Sequence, residues 1–284
     1  MVEVFNGKSM GVAETWIDRS SAVGESDKGD LYLLAIGVNE FPKMPEANLD
    51  YAAMDAEAIT AAFEGLRNVS FNKVHSRVLS DFSSEKPDKA TVLTALKFVK
   101  QATARDTVIL FLASHGLSDK AGNYYFVPRD GEFADIQRLL DGSSDAPSLI
   151  RWESFFDALR QTAGKRLLLV DTCQAKNIQG TLDFHSLSKR SATSKFSVFA
   201  ASKGSEESQE YRAGNHGLFT YALLEGLKGQ GDADQDGNVT LNELFGFVSG
   251  YVQENREIKE LPQTPQLDSP DSLKDLVLSS TVAH

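Results

Sequence analysis

The fold of this chain is decided by one apolar run that ends in its only cysteine, Lys165-Arg166-Leu167-Leu168-Leu169-Val170-Asp171-Thr172-Cys173-Gln174-Ala175. Its consecutive aliphatic residues show no helical periodicity, so they predict a strand that is buried on both faces. Cys173 falls where this strand is expected to stop. Parallel sheets place their chemistry beyond the carboxyl ends of their strands, so the run indicates both a fold class and a site.

A second apolar run has the same design but ends in a histidine, Thr107-Val108-Ile109-Leu110-Phe111-Leu112-Ala113-Ser114-His115-Gly116. If the two strands are neighbours, the thiol of Cys173 and the imidazole of His115 meet at one edge of the sheet. Such an imidazole takes the proton of the thiol and returns it to a leaving amine. Gly116 permits a sharp turn, and its amide and that of Cys173 are candidates for an oxyanion hole. The alternative is a buried structural cysteine and a structural histidine.

Composition narrows the class of protein. The 284 residues are 41% hydrophobic, which supports a substantial core. The net charge of -11 and the absence of long basic runs argue against nucleic acid as a partner. One cysteine makes no internal disulfide and no cysteine-ligated zinc site, which favours a reducing compartment. With no apolar run long enough to cross a membrane and no signal-peptide pattern, we expect a cytoplasmic protein without a membrane partner.

Apolar periodicity along the chain predicts alternating strands and helices. Strands are expected at 31–39, 74–79, 107–115, 165–173 and 196–202 and near 123–130, and helices at 50–65, 89–104, 152–162 and 217–228. Two polar excursions, 131–148 and 176–195, are expected to be loops. This alternation predicts an α/β fold, a doubly wound and mostly parallel sheet of about six strands with helices on both faces.

Four motifs, in their order along the chain, carry a family resemblance. They are Leu34-Ala35-Ile36-Gly37-Val38-Asn39, Ser114-His115-Gly116, Asp171-Thr172-Cys173-Gln174-Ala175 and Gly217-Leu218-Phe219-Thr220-Tyr221-Ala222-Leu223-Leu224-Glu225-Gly226. Together they resemble the caspase-like cysteine peptidases, most closely the metacaspase and bacterial caspase-homologue branch. The resemblance implies a caspase-like sheet and peptide hydrolysis, with Cys173 as nucleophile, His115 as acid and base, and the Gly116 and Cys173 amides as oxyanion donors. Gln174-Ala175 departs from the His-Ser-Gly usual in metacaspases, which affects fine specificity.

The resemblance also implies a domain organisation. Residues 30–284 are expected to form the caspase-like peptidase domain. Residues 1–29 are polar, contain Gly and Ser and lack a sustained period, so they are expected to be an N-terminal tail or a linker to another module.

Carboxylates suggest the substrate. Asp171 lies two residues before Cys173, so the two side chains are expected on one face of the strand. A buried carboxylate needs a partner, either a local loop that it caps or a bound cation. Asp55 matches the second acidic position that metacaspase-like enzymes use with the first, so the resemblance implies cleavage after Arg or Lys. The alternative for Asp55 is a solvated acid or an acid at a helix N-terminus. Ser202 is expected to help an extended substrate add as a strand.

The 176–195 loop contains Lys189-Arg190, a target for a peptidase of basic specificity. Caspase-like enzymes often mature by cleavage in this loop, so the resemblance implies a zymogen that processes itself here. A plain solvated loop is the alternative.

A calcium loop is predicted near the C-terminus, at Asp232-Ala233-Asp234-Gln235-Asp236-Gly237-Asn238-Val239-Thr240-Leu241-Asn242-Glu243. The segment fits the EF-hand pattern, with carboxylates at its first, third, fifth and last positions and glycine at the sixth. The candidate ligands are Asp232, Asp234, Asp236, Asn238 and Glu243. EF-hands usually occur in pairs, so a capped turn between helices is the alternative. Calcium is the one cofactor expected, and no organic cofactor is.

The leading hypothesis is therefore a cytoplasmic cysteine endopeptidase that cleaves after Arg or Lys. Its expected partners are protein or peptide substrates with a basic residue before the cut, and an upstream or regulatory protein module. The competing hypothesis is a non-catalytic caspase-like interaction module. A third, an unrelated α/β hydrolase that acts on esters, lacks the glycines of a nucleophile elbow around Cys173.

Overall fold

The structure, a computed structural model, describes residues 2–5, 10–13, 28–173, 196–203, 206 and 208–280. For residues 2–5, 10–13 and 173 the description covers the backbone, and their side chains lie outside it. The predicted loop 176–195, with Lys189 and Arg190, lies outside the described residues.

The strands fall into one large sheet and several short pairs. In chain order they are β1 Val2–Phe5, β2 Met10–Ala13, β3 Leu31–Gly37, β4 Val74–Leu79, β5 Thr107–Ser118, β6 Tyr124–Phe126, β7 Ile150–Arg151, β8 Lys165–Cys173, β9 Ser197–Ala200, β10 Glu210–Tyr211, β11 His216–Gly217, β12 Asn238–Thr240, β13 Gln266–Asp268 and β14 Val277–Ser280.

The helices alternate with the long strands. They are α1 Ala52–Glu64, α2 Lys89–Ala95, α3 Phe133–Asp141, α4 Glu153–Arg160, α5 Leu218–Glu225, α6 Leu241–Asn255 and α7 Asp271–Lys274. Short 3-10 turns cover Pro45–Ala47 and Phe98–Gln101, and a π turn covers Gly226–Gln230.

The main sheet has the order β13-β9-β8-β5-β3-β4. Strands β9, β8, β5, β3 and β4 are parallel, and β13 adds to β9 in the antiparallel direction. The predicted α/β fold, a mostly parallel sheet of about six strands, is thus confirmed. The two apolar runs that end in His115 and Cys173 are direct neighbours, because β5 pairs with β8.

Two apolar cores lie on the two faces of this sheet. Alternate residues of β5 and β8 belong to different cores, with Leu110 and Leu168 in one and Phe111 and Leu169 in the other. Helices α2 and α4 cover the first face, and α1, α5 and α6 cover the second. Burial of both faces explains why these strands read as continuous apolar runs instead of alternating ones.

Three local predictions were wrong. Strand β5 does not stop at His115 but continues to Ser118, because β6 pairs with its last residues. The excursion 131–148 is not all loop, since it contains α3, which buries Ile136 and Leu139 and ends at Gly142 with φ 102°. The predicted helix over 89–104 is divided into α2 and the turn Phe98–Gln101.

The N-terminal and C-terminal regions add strands that periodicity did not predict. Strands β1 and β2 form an antiparallel pair within residues 1–29. Near the C-terminus, β14 pairs with β12 inside the predicted calcium loop. Among the helices that the structure describes, none has the length and apolar character needed to cross a membrane.

Candidate active site

The register of the sheet sets the candidate nucleophile beside the candidate base. His115 of β5 is the direct partner of Cys173 of β8, at the last pair of this parallel ladder. Neighbouring strands lie about 4.8 Å apart, so the two backbones are adjacent. The thiol itself lies outside the described part of the structure, and the pairing rests on the backbone.

The imidazole of His115 is held by a backbone carbonyl. Its Nε2 lies 2.6 Å from the carbonyl oxygen of Ala47, and its ring packs against that of Phe41 with centroids 5.1 Å apart. A carbonyl oxygen only accepts hydrogen bonds, so Nε2 carries the hydrogen. In the neutral ring Nδ1 is then the nitrogen that takes a proton. The side chain is buried, with 3% of the residue exposed, so this orientation is fixed by packing.

The loop after β3 places the Ala47 carbonyl. Asn39 organises this loop, because its side chain donates to the carbonyl of Asp50 and accepts from the amide of Ala53 at the start of α1. The backbone amide of Asn39 donates to the carboxylate of Asp81 at 2.5 Å. Asn39 therefore connects the element that orients His115 to the helix that carries Asp55.

Glycine is required at position 116 because the Tyr124 side chain passes close to its backbone. A Cβ at this position would lie 1.7 Å from the hydroxyl oxygen of Tyr124, which reaches across to Thr172 Oγ1 at 3.0 Å. The prediction of a sharp turn at Gly116 was therefore wrong, and the residue is glycine because a tyrosine crosses its backbone.

The amide of Gly116 nevertheless points towards β8. The carbonyls of Ala113 and His115 accept hydrogen bonds from Val38 and Val127, on the side away from β8. Successive residues of a strand alternate in direction, so the amide of Gly116 faces the strand that carries Cys173. Its use as an oxyanion donor stays a prediction, and it requires the ladder to open at the pair of His115 and Cys173.

The two predicted carboxylates come together around Gly217 of β11. A Cβ on Gly217 would lie 2.7 Å from Asp171 Oδ2 and 3.1 Å from Asp55 Oδ2. A side chain here would clash with Asp171 and crowd Asp55, so glycine leaves the room in which the two acids meet. Asp171 comes from β8 and Asp55 from the first turns of α1, and both residues are buried, with 4% and 2% exposed.

Asp171 is held by two hydroxyl groups. Ser208 Oγ donates to Oδ1 and Thr220 Oγ1 donates to Oδ2, each at 2.6 Å. Burial raises the pKa of Asp171 above its ordinary value, and these two hydrogen bonds oppose the rise. The direct partners of this carboxylate are therefore neutral donors, and none of the described basic side chains lies within ion-pair distance of it.

Asp55 is paired with a histidine that the sequence did not single out. His216 Nδ1 lies 2.6 Å from Asp55 Oδ1, and the Gly217 amide donates to Oδ2 at 3.1 Å. Burial raises the pKa of Asp55 to about 7, the hydrogen bond from His216 opposes this rise, and the negative charge of Asp171 adds to it. The only sequence signal for His216 is its position directly before the Gly217 motif.

Ser202 lies just beyond β9, and its hydroxyl donates to the carbonyl of Glu206 at 3.0 Å. Its side chain thus supports the local loop. Its predicted role in binding an extended substrate stays a prediction.

The predicted calcium loop brings three carboxylates together. Oxygen atoms of Asp232, Asp234 and Asp236 all lie within 4.8 Å of one another. Glu243 Oε1 faces this loop and accepts from the amides of Ala233 and Asp234, at 3.2 and 3.4 Å.

Two features bear on whether the residues of this loop fit calcium. Strand β12 inside the loop pairs with β14, as the loops of paired EF-hands pair with each other. The side-chain oxygen of Asn238 accepts from Ser280, which leaves the backbone carbonyl as the group that an EF-hand uses at this position. The residues present therefore fit a calcium loop whose partner is a strand of the same domain.

Comparison with known proteins identifies the family to which this arrangement belongs. A family model described as the caspase domain matches residues 32–277. This chain belongs to the caspase-domain family. The matched range holds the candidate site of this caspase domain, from α1 to the predicted calcium loop.

A solved structure has the same fold. The caspase domain resembles the crystal structure of protein GSU0716 from Geobacter sulfurreducens with a TM-score of 0.55 and 14% identity, over 86% of this chain and 97% of that chain. At this identity the likeness is one of fold. No curated protein matches the chain at a significant level.

Proposed function

We propose that this caspase domain is a cysteine endopeptidase that hydrolyses peptide bonds after Arg or Lys, with Cys173 as nucleophile and His115 as acid and base. The observation that carries the proposal is the register that pairs His115 with Cys173 at the carboxyl ends of β5 and β8. The bond from His115 Nε2 to the Ala47 carbonyl supports it, because it leaves Nδ1 as the basic nitrogen of the neutral ring.

In the proposed reaction His115 accepts the proton of the Cys173 thiol, and the thiolate attacks the carbonyl carbon before the scissile bond. His115 then gives this proton to the leaving amine, which forms an acyl-enzyme. Water hydrolyses the thioester with His115 as base, which regenerates the thiol. The amides of Gly116 and Cys173 stabilise the oxyanion of each tetrahedral intermediate.

The basic preference rests on two buried acids that converge at Gly217. A carboxylate pair binds a guanidinium or an ammonium strongly because burial strengthens the attraction between the charges. The same pair repels an acidic side chain, so Asp171 and Asp55 favour Arg and Lys over Asp.

A panel of fluorogenic peptides tests the proposal, with Arg, Lys, Gln, Leu or Asp before the reporter group. We expect the full chain to hydrolyse the Arg and Lys peptides at least about tenfold faster than the others, and Cys173→Ala to hydrolyse none. Equal rates for all peptides would reject the basic preference. The absence of hydrolysis that depends on Cys173 would favour an interaction module.

We also propose that the loop from Asp232 to Glu243 binds calcium, for which the three convergent carboxylates are the support. When bound, the ion supplies positive charge that ties the loop to the start of α6. Asp232, Asp234, Asp236 and Glu243 would hold it with side-chain oxygens, and Asn238 with its backbone carbonyl.

Calcium is expected to raise the melting temperature of the full chain by about 5 °C when it is well above its dissociation constant, because it binds the folded state alone. Differential scanning calorimetry with and without millimolar calcium measures this shift. Asp234→Asn should lose most of it, whereas Asp145→Asn, a change at an exposed acid outside the loop, should keep it. The same melting temperature with and without calcium would reject the site.

Self-processing after Lys189 or Arg190 is a further expectation, for which a peptidase of basic specificity and a basic pair in one chain are the support. Intact-mass analysis should find cleavage there in the wild-type chain and none in Cys173→Ala. A wild-type chain that stays whole while it cleaves peptides would reject self-processing but leave the peptidase proposal in place.

A further inference from the structure

The acidic pair already holds the imidazole of a histidine. His216 places Nδ1 2.6 Å from Asp55 Oδ1, and its side chain is 19% exposed, against 3% for that of Asp55. Across the described part of the chain, His216 is the one basic group within ion-pair distance of either acid. The imidazole therefore lies between a buried carboxylate and solvent.

The remaining contacts of the two acids are neutral. Asp171 receives the hydroxyls of Ser208 and Thr220, and Asp55 receives the amide of Gly217. Ser208 lies just before β10, Gly217 in β11 and Thr220 in α5. Among the described residues, His216 is thus the one basic side chain in direct contact with the pair in this conformation.

His216 is held more loosely than the other groups that contact the two acids. It lies on the two-residue strand β11, which pairs with Tyr211 of β10 and follows Asn215 with φ 54°. Its ring lies beside that of Tyr221 at 6.4 Å between centroids, which is a loose contact. Rotation of this partly exposed side chain towards solvent removes one contact with Asp55 and leaves the buried hydroxyl donors in place.

We propose that His216 occupies the place of the basic substrate side chain, so that Arg or Lys enters by displacing its imidazole from Asp55. This inference rests on the proposed function and adds a specificity-determining residue to it. A basic substrate side chain must then take over the contact that His216 makes with Asp55, and a neutral side chain has no charge with which to compensate this acid. Entry of any other side chain displaces His216 and leaves a buried acid unpaired. His216 therefore raises the selectivity for cations.

The direct test is nitrogen-15 NMR of the histidine side chains in full-length Cys173→Ala, titrated with benzamidinium and with benzamide as its neutral counterpart. The His216 signals, assigned by their loss in His216→Gln, should move towards those of a solvent-exposed imidazole with benzamidinium and stay unchanged with benzamide. Benzamidinium should bind His216→Ala at least about tenfold more tightly, because no imidazole competes for Asp55. In an otherwise wild-type chain, His216→Ala should lower KM for Arg peptides more than it changes kcat.

The outcomes separate this inference from the proposed function. Benzamidinium that saturates the protein while the His216 signals stay in place overturns the inference and leaves the basic pocket intact. Weaker binding by His216→Ala also overturns it, because His216 would then support Asp55 instead of competing for it. Binding to neither protein rejects the basic pocket, and with it both proposals. The wild-type titration gives its answer even if His216→Ala fails to fold.

Discussion

Asp171→Asn is expected to lower kcat/KM for Arg and Lys peptides by a factor of about one hundred or more, while the melting temperature stays the same or rises. Truncating one partner of a buried charged pair costs about 2–5 kcal/mol, which corresponds to this loss. Asparagine has nearly the same shape, and the hydroxyls of Ser208 and Thr220 rotate to serve as donor or acceptor. Steady-state kinetics and calorimetry measure the two effects.

The gain in stability should depend on pH. Burial raises the pKa of Asp171 above the ordinary 3.8, so the unfolded chain releases this proton at a lower pH than the folded protein does. The acid form of Asp171 therefore contributes stability at low pH that is lost as the pH rises towards the folded pKa. Asp171→Asn removes this loss. The melting temperature of the variant should therefore exceed that of wild type by an amount that grows from about pH 4 upwards.

Asp135→Asn is the matched control, because Asp135 is a buried acid of α3 with the opposite shift. Burial acts to raise its pKa, but hydrogen bonds from Ser148 and the charge of Arg138 outweigh it and lower the pKa. Asp135→Asn should lose stability at neutral pH and keep the peptide preference. If Asp171→Asn kept the preference for Arg, the carboxylate would have no part in specificity.

Cys173→Ala and His115→Ala are each expected to lower kcat for the Arg peptide by about a thousandfold or more, and the double variant should be no worse than either single one. The two residues act as a unit, so removing one removes the function of both. His115→Ala should also slow alkylation of Cys173 near neutral pH, because the thiol loses the base that converts it to the reactive thiolate.

His75→Ala is the control for the loss of a histidine. His75 lies near the amino end of β4, where its Nε2 is 2.9 Å from Asp30 Oδ2, at the opposite edge of the sheet from His115. Its removal should leave kcat unchanged. A His115→Ala variant that kept a tenth of the wild-type kcat or more would contradict the role of His115 as base.

The part of this fold that could be predicted from sequence is the part buried on both sides. Strands β3, β5 and β8 have continuous apolar runs because each packs against two cores, and no polar alternation obscures them. Strands β5 and β8 are neighbours, as consecutive strands of a sheet usually are, although β6, α3, β7 and α4 lie between them in the chain. The convergence of Asp55 and Asp171 followed from the family resemblance.

The errors come from contacts that no local pattern encodes. Strand β5 extends past His115 because β6 returns to pair with it, and Gly116 responds to Tyr124 rather than to a turn. The acid-rich sequence around α3 hid a helix with one buried face. His216 gave no periodic signal, because its importance depends on an acid that is distant in the chain.

The central claim is that Cys173 attacks the bond after a basic residue, and one labelling measurement tests it most directly. The full chain is incubated with a peptidyl acyloxymethyl ketone that ends in Arg and, separately, with the same reagent ending in Asp, and its intact mass is recorded. Because the chain has a single cysteine, one thioether adduct identifies the nucleophile. We expect one adduct with the Arg reagent, none with the Asp reagent, and none with either in Cys173→Ala. Equal labelling by both reagents, or a folded chain that neither reagent labels, would contradict it.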